Sequence, residues 1–354
     1  MKRWPTKPLS EVAECLDGRR IPITAEDRAQ GDVPYYGANG QVGWIDKPIF
    51  NESLLLIAED GGHFDQPEKG VAYLISGPSW VNNHAHVIRS DSSQVSLEFL
   101  GHYFRHFNFM PFVNGTTRAK LNQKALMSIP VPVPPLAEQE QIVQLLNEAD
   151  ALRKLRAQAD RRTTALLPAI FHEMFGDPAT NPKGWPVVTV GEVAEAAWGN
   201  TSITKASYTE TGFPAFSATG CDGFLPQYEH DGDGIVVSAI GARCGKCFFA
   251  LGKWTAIKNT LTITNPKPDK LDLRYMFQIA NDESFWPNRG GAQPFIGLGA
   301  ARRCIIPLPP LPLQQEFAQQ VAEIHELEAG QAVSRHRLDD LFQSLLHRAF
   351  AGEL

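Results

Sequence analysis

The sequence predicts an α+β fold in which two pseudo-repeated mixed α/β domains are joined by two long antiparallel, coiled-coil-like helices. Three observations predict it. The chain repeats itself once, each half contains a β-rich block that closes on a proline-rich stretch, and each such stretch is followed by a long run with one apolar seam.

The repeat is read from matching strings in the same order. Trp4-Pro5 recurs as Trp185-Pro186, and Glu11-Val12-Ala13-Glu14 as Glu192-Val193-Ala194-Glu195, both 181 positions apart. Pro34 to Gly40 resembles Pro214 to Gly220 at an offset of 180. Pro134-Pro135-Leu136 matches Pro309-Pro310-Leu311 at 175, and Leu166-Leu167 with Phe171 matches Leu345-Leu346 with Phe350 at 179. An offset that drifts by so few residues marks a duplicated unit.

The elements follow in order. In the first block (residues 1–135) Leu54 to Ala58 reads as a buried strand and Leu97 to Phe107 as a short helix. The stretch Ile129 to Pro135 is too rich in proline for a helix and reads as a stiff, hinge-like boundary. A first long helix (within 136–178) is expected from about Ala137 to Phe175. Its seam would be Ile142, Leu145, Ala149, Leu152, Ala159, Leu166 and Ile170, and Gly176-Asp177-Pro178 would end it. The second block (179–310) repeats the plan, with Gly234 to Ser238 as the strand, Leu271 to Ile279 as the helix and Ile305 to Pro310 as the boundary. A second long helix (within 311–354) is expected from about Leu313 to Phe350, with Phe317, Val321, Ile324, Leu338, Leu341 and Leu345 on its seam. About 38 residues at 1.5 Å each make a rod of roughly 57 Å. One apolar stripe on so long a rod needs a partner, and each helix supplies it for the other.

The 354 residues, 43% hydrophobic with seven Trp and twenty Phe, exclude a disordered or fibrous chain. No apolar run approaches the roughly 20 residues that span a bilayer. Met1 to Pro5 is basic but leads into no hydrophobic stretch, so the cytoplasm is the expected compartment. Five cysteines are too few, and odd in number, for a disulfide framework. The net charge of −6 falls in segments 131–182 and 306–354, leaving the two larger blocks neutral in sum. Global charge therefore neither supports nor excludes DNA as a partner.

Enzymatic motifs are weak. No Asn/Asp-Pro-Pro-aromatic string is present, and Gly245-Lys246 lacks the rest of a phosphate-binding loop. Cys244 and Cys247 form a lone CxxC that would need ligands from elsewhere, such as Cys221, to hold zinc. His84 and His86 alternate as on a strand and would face opposite sides. No catalytic residue and no metal ligand is assigned.

The junctions resemble those of the specificity (S) subunit of type I restriction–modification enzymes. Pro132-Val133-Pro134-Pro135-Leu136-Ala137-Glu138-Gln139 carries the resemblance, with Met174 to Pro178, Asn181 to Trp185 and the tail Arg348 to Leu354. The second junction, Leu311-Pro312-Leu313-Gln314-Gln315, lacks the Glu, so its helix is expected to start slightly later with Pro312 in the first turn. The resemblance implies two target-recognition domains that read the halves of a bipartite, asymmetric site on double-stranded DNA. It also implies two modification (methyltransferase) subunits docked on the helices, with two restriction (motor–nuclease) subunits able to join. The chain itself would be no enzyme and hold no cofactor. S-adenosylmethionine, ATP and Mg would belong to the partners. A protein-only scaffold built on the repeat and coiled coil is the alternative reading.

Candidate DNA contacts are donor-rich stretches at the block edges. Thr116, Thr117, Arg118 and Lys120 precede the first boundary, and Arg289 and Gln293 are their counterparts. Asn83 and His84 follow Trp80, which pairs by eye with Trp254 and so sets Lys258 and Asn259 beside them. Arg and Lys reach phosphates, and Asn or Gln can read adenine. Tyr36 and Phe216 read as core residues rather than stacking platforms.

Overall fold

The computed structural model describes residues 4–24, 26–115, 119–265, 268–287 and 294–354. The chain divides into two compact units, Met1–Arg156 with Ser334–Leu354, and Ala157–Val333. Each unit therefore contains one mixed domain and a part of both long helices. No helix among the described residues is long and apolar enough to cross a membrane.

Both domains share one strand topology. In the first, strands Ala13–Cys15, Ala85–Ser90, Leu54–Ala58 and Ala72–Ile75 lie side by side in that order, all antiparallel. A second sheet runs Gly40–Ile45, Val33–Gly37, Pro78–Val81, Phe50–Asn51, with its middle pair parallel. The second domain repeats the first order with Glu195–Trp198, Thr260–Thr264, Gly234–Ser238 and Cys247–Ala250. It repeats the other with Gly220–Leu225, Phe213–Ser217, Lys253–Ala256 and His230–Asp231. Even the irregularities match: a register shift falls between Tyr35 and Tyr36, and another between Ala215 and Phe216. The hairpin turns next to them use Gly40 (φ +122°) and Gly220 (φ +115°), a conformation that strongly favours glycine.

The apolar run Leu54–Ala58 is fully buried because it serves two cores. Leu55 and Ile57 pack toward Phe99 and Phe104 of helix Leu97–Arg105, while Leu54 and Leu56 pack with Phe50, Val81 and Val87. Side chains alternate along a strand, so a strand covered on both faces reads as one continuous apolar run. Ile235 and Val237 against Val236 divide the same way.

The proline-rich stretches are not free hinges. Pro130–Pro132 pairs with Thr6–Pro8, and Ile305–Pro307 with Val187–Thr189. Val133 then donates to the Pro5 carbonyl (2.8 Å), and Leu308 to that of Pro186 (2.7 Å). The repeated Trp-Pro strings mark these anchors.

The long helices span Leu136–Phe175 and Leu311–Ala351. The second does not start later than the first; the two begin at matching leucines. In both, the carbonyl of the preceding proline is the first acceptor, from Glu138 and Gln139 at Pro135 and from Leu313 and Gln314 at Pro310. Pro312 sits in the first turn, where its missing N–H costs nothing. Each start is locked by a glutamine with no exposed surface. Gln139 Nε2 donates to the carbonyls of Gln94 and Pro134 (both 2.8 Å), and its Oε1 accepts from the Ser96 N–H (2.8 Å). Gln314 makes the same three bonds, to Lys270 (3.2 Å), Pro309 (2.7 Å) and Asp272 (2.8 Å). Ser96 and Asp272 are themselves the N-caps of helices Leu97–Arg105 and Leu273–Ala280.

Within each unit the long helices pack side by side, antiparallel. In the unit formed by 157–333, Thr163 meets Gln331 (2.8 Å) while Phe171 and Phe175 meet Phe317, so one number rises as the other falls. In the other unit Arg153 binds Asp339 (2.7 Å) and lies over Phe342. Ile142, Leu146 and Ala149 share a core with Phe342 and Ala349. The seam agrees with the sequence reading at Ile142, Ala149, Phe317, Val321 and Ile324 and differs from it elsewhere. Leu146, Phe171 and Phe342 are buried, whereas Leu152 (51%), Leu166 (42%) and Leu341 (50%) are exposed. The contacting positions step by four and three through half-buried Arg153 and buried Thr163, so choosing only apolar residues moved the first helix's stripe off by one at Leu152.

Replacing Gln139 or Gln314 with Ala leaves one N–H and two carbonyls unpaired in a dry junction. Each change should destabilise the chain by roughly 3 kcal/mol. Denaturant unfolding of the full chain measures this, and a loss within about 0.5 kcal/mol, the range of ordinary surface changes, would refute the lock.

Candidate nucleic-acid interface

In each domain the same end of the sheet that contains Leu54–Ala58 or Gly234–Ser238 gathers the described candidate residues. In the first, strand Leu54–Ala58 runs out into Glu59-Asp60, and the Asn83-His84 turn leads into strand Ala85–Ser90 beside it. The Glu59 N–H donates to the His84 carbonyl (2.8 Å), and Asp60 Oδ1 meets His84 Nδ1 (2.8 Å). The third segment docks on the same spot. Leu121 N–H donates to the Glu59 carbonyl (2.8 Å), and the Glu59 carboxylate pairs with Lys120 Nζ (3.0 Å). Asn114 and Lys120 exchange both backbone hydrogen bonds, closing the loop between them. Asn83 and Lys120 are exposed, and the His84 side chain is 42% exposed. Thr116, Thr117 and Arg118 lie outside the described residues.

The second domain arranges its counterparts alike. Ala239 N–H donates to the Asn259 carbonyl (3.0 Å), Ile296 N–H to that of Ala239 (2.9 Å), and Gly241 N–H to that of Pro294 (3.0 Å). Lys258 and Asn259 are exposed in the turn, Asn259 in the left-handed conformation (φ +68°) that Asn tolerates. They border a cavity of about 380 Å³ lined also by Thr204, Lys205, Ser217 and Thr219. Asp222 holds one wall, accepting from Lys205, Thr219, Ser217 and Tyr208. Against a partial loss of solvent that would raise it, these bonds keep the Asp222 carboxyl well below the usual range. Arg289 and Gln293 lie outside the described residues.

The pairing of Trp80 with Trp254 is corrected by one residue. Trp80 lies opposite Tyr35 and Thr255 opposite Ala215, so Thr255 is the counterpart of Trp80. A shift of one turns a side chain to the other face of a strand. Trp80 packs with Val33, Tyr35 and Ile45 and donates to the Ile21 carbonyl, while Trp254 packs with Phe216 and Val236 and donates to that of Gly232. Asn83-His84 and Lys258-Asn259 still occupy the same turn. Phe216 is buried, and Tyr36, half-buried, packs against Tyr73.

Behind the first domain's turn lies an ionic network that no sequence pattern announces. Buried His86 meets Asp17 Oδ2 through Nδ1 (2.6 Å) and the Leu121 carbonyl through Nε2 (2.8 Å). Arg20 joins Asp17 (3.2 Å) to Glu59 (2.8 Å). Burial alone would raise the Asp17 carboxyl. Hydrogen bonds from His86 and the Val87 N–H, with the His86 and Arg20 charges, lower it instead. Cys15, Asp17 and His86 form the one group among the described residues with ligand atoms close enough for a metal. Both carboxylate oxygens and both ring nitrogens are already engaged. Burial pushes the Cys15 thiol up to about 12, which keeps it protonated. The group therefore reads as an ion-pair network. The Cys244 and Cys247 thiols donate to the Ala239 and Ala280 carbonyls.

Position by position, the second domain replaces this network with apolar groups. His86 lies opposite Ile57 and Leu261 opposite Val237, the fourth residue of each central strand. Trp198 pairs with Leu261 where Asp17 meets His86, and Ile240 bridges Phe295 where Asp60 bridges Lys120. Trp198 and Phe295 stack with centroids 6.0 Å apart.

Residues 1–160 and 182–330 match the family model described as the type I restriction modification DNA specificity domain. A relative from Haemophilus influenzae, named a putative type I restriction enzyme specificity subunit, is 38% identical over 146 residues, which is 41% of this chain and 37% of that protein. The chain thus covers little more than a third of that relative's length. The crystal structure of a type I restriction–modification S subunit from M. genitalium shares the fold, with a TM-score of 0.64 and 15% identity over 98% of this chain and 96% of that one. A structure solved for complex assembly and conformational transition of a type I system gives 0.62 and 20%, over 100% and 99%.

Asp17→Asn removes a charge that His86 and Arg20 face and should cost about 3 kcal/mol at pH 7. A carboxyl held below its unfolded value stabilises above that value and ceases to as pH falls through its folded one. The gap between variant and parent should therefore close in acid. Urea unfolding across pH 7 to 3 checks this, and a pH-independent gap would contradict it.

Proposed function

The chain belongs to the type I restriction–modification DNA specificity family, and from that premise we propose that it is the non-catalytic subunit that chooses the DNA sequence on which partner subunits act. The observation that carries the reading is the repeated sheet end, where a polar turn and a docked loop converge twice on the same scaffold with different side chains. Two readers of one geometry and unlike chemistry suit a bipartite, asymmetric target on double-stranded DNA. Half-sites about one helical turn, roughly 34 Å, apart can be read from one face of a duplex.

In this reading Lys120, Lys258 and Arg118 contact phosphates, and Asn83, His84, Asn259 and Gln293 read base edges. Thr116, Thr117 and Arg289 would contact the DNA backbone. The long helices dock two modification subunits. Leu152, Leu155, Leu166, Leu327, Val333 and Leu341 support this, since they leave apolar side chains open on helices whose seams already have partners. Adenine methylation would then be the work of those subunits with S-adenosylmethionine. Cleavage would need motor–nuclease subunits with ATP and Mg. Work of this kind takes place in the cytoplasm.

Two outcomes test the reading. Lys120→Ala or Lys258→Ala should weaken binding to all sequences alike and lower the salt slope by about one per lost phosphate contact, measured by titration at several salt concentrations. A change confined to one base position would reassign that lysine to base readout. Separately, adding four helical residues just before Thr163 and four just after Gln331 lengthens both helices by roughly 6 Å. At about 3.4 Å per base pair, the preferred spacer should grow by one or two pairs with both half-sites unchanged. Methylation mapping on a library of variable spacers reads both, and an unchanged spacer would show that the helices do not set it.

A further inference from the structure

The replacement of an ionic network by a stacked aromatic pair has a consequence for what the second domain reads. Trp198 is 38% exposed and Phe295 36%, so both rings present carbon at the sheet end rather than filling the core. Exposed cations stand on the segments that adjoin this end: Lys258 in the turn, and Arg243 and Lys246 in the loop that follows Ala239. That loop is held against the aromatic step, since Gly241 donates to the Pro294 carbonyl and Ala239 accepts from Ile296. An exposed carbon surface on a sheet end whose turn and following loop carry lysine and arginine fits a polyanion that carries an apolar group in its interior. In the major groove of DNA the one such group on a base edge is the 5-methyl of thymine.

We propose that Trp198 and Phe295 are specificity-determining residues of the second domain that pack on thymine methyl groups in its half-site. The first domain, with Asp60 and Lys120 at the matching bridge, reads its half-site without methyl contacts. The inference rests on the DNA-recognition reading above and says which chemistry one of the two sites takes.

The test uses the full chain, affinity-purified with the subunits that accompany it, and two randomised duplex libraries. One contains thymine; in the other every thymine is deoxyuridine, which lacks only the methyl. Sequences bound from each are compared. One half-site should lose its preference for thymine at one or two positions in the uracil library, by about fourfold for each methyl no longer taken out of water. The other half-site should be unchanged. Phe295→Lys, which places at this position the residue type of the first domain, should lose the same preferences in the thymine library. Identical half-sites from both libraries would overturn the proposal, as would a Phe295→Lys variant whose changes fall at positions where the methyl does not count. Enrichment of no sequence from either library would instead bring down the DNA-recognition reading itself.

Discussion

A single carboxamide decides how each recognition domain meets its helix. The chain must pass from a proline-rich strand, where alternate residues lack an N–H, into a helix whose first turn has no internal partners. Pro134 and Pro309 leave their carbonyls in dry surroundings at that passage. Gln139 and Gln314 take those carbonyls, a second carbonyl from the domain, and the N–H of the residue that caps the domain's own helix. Glutamate could not donate to the carbonyls, and leucine could do neither, so an amide that gives and accepts at once is the side chain the junction calls for. With that bond set in place, the direction of the helix relative to its domain is fixed, and with it the stripe the helix turns toward its partner.

Much of the fold was legible in the sequence because it is written twice. Leu54–Ala58 and Gly234–Ser238 were visible as buried strands, since burial on both faces leaves an unbroken apolar run. The helix pair was visible from its length and its need for a partner. The seam was misread at Leu152 and Leu166 because the true stripe passes through Arg153 and Thr163, whose polar groups find partners across the pair. Trp80 and Trp254 were misaligned because identity of residue type suggested a register that strand pairing overrules. The turn residues Asn83, His84, Lys258 and Asn259 could be named from sequence. The union of Asp17, Arg20, Glu59, His86 and Lys120 could not, since it is made by strand pairing across a hundred residues of chain and no local pattern announces it.

The two domains show how far a scaffold can be held constant while the chemistry at its tip is exchanged. The central strands, the register shift and the turn glycines are common to both. At the sheet end, Asp17, Asp60, Lys120 and His86 become Trp198, Ile240, Phe295 and Leu261. An ionic set supports its own exposed members through fixed charge and direction; an aromatic set supports them through contact area. Neither exchange disturbs the strands beneath, because these positions lie at or beyond the ends of the hydrogen-bonded ladder.

The compact unit built on the first domain also contains residues 334–354, which are made long after it. Phe350 packs edge-on against Phe99 and Tyr103, and Phe342 and Ala349 close the core over Ile142 and Leu146. On the ribosome, the domain synthesised first therefore waits for its final wall until the second domain has emerged. Until then it exposes an apolar face shaped for a helix that is not yet present. The same helix from a neighbouring nascent chain fits that face equally well, so closure within one chain competes with exchange between two, and local crowding of polysomes weighs on the outcome.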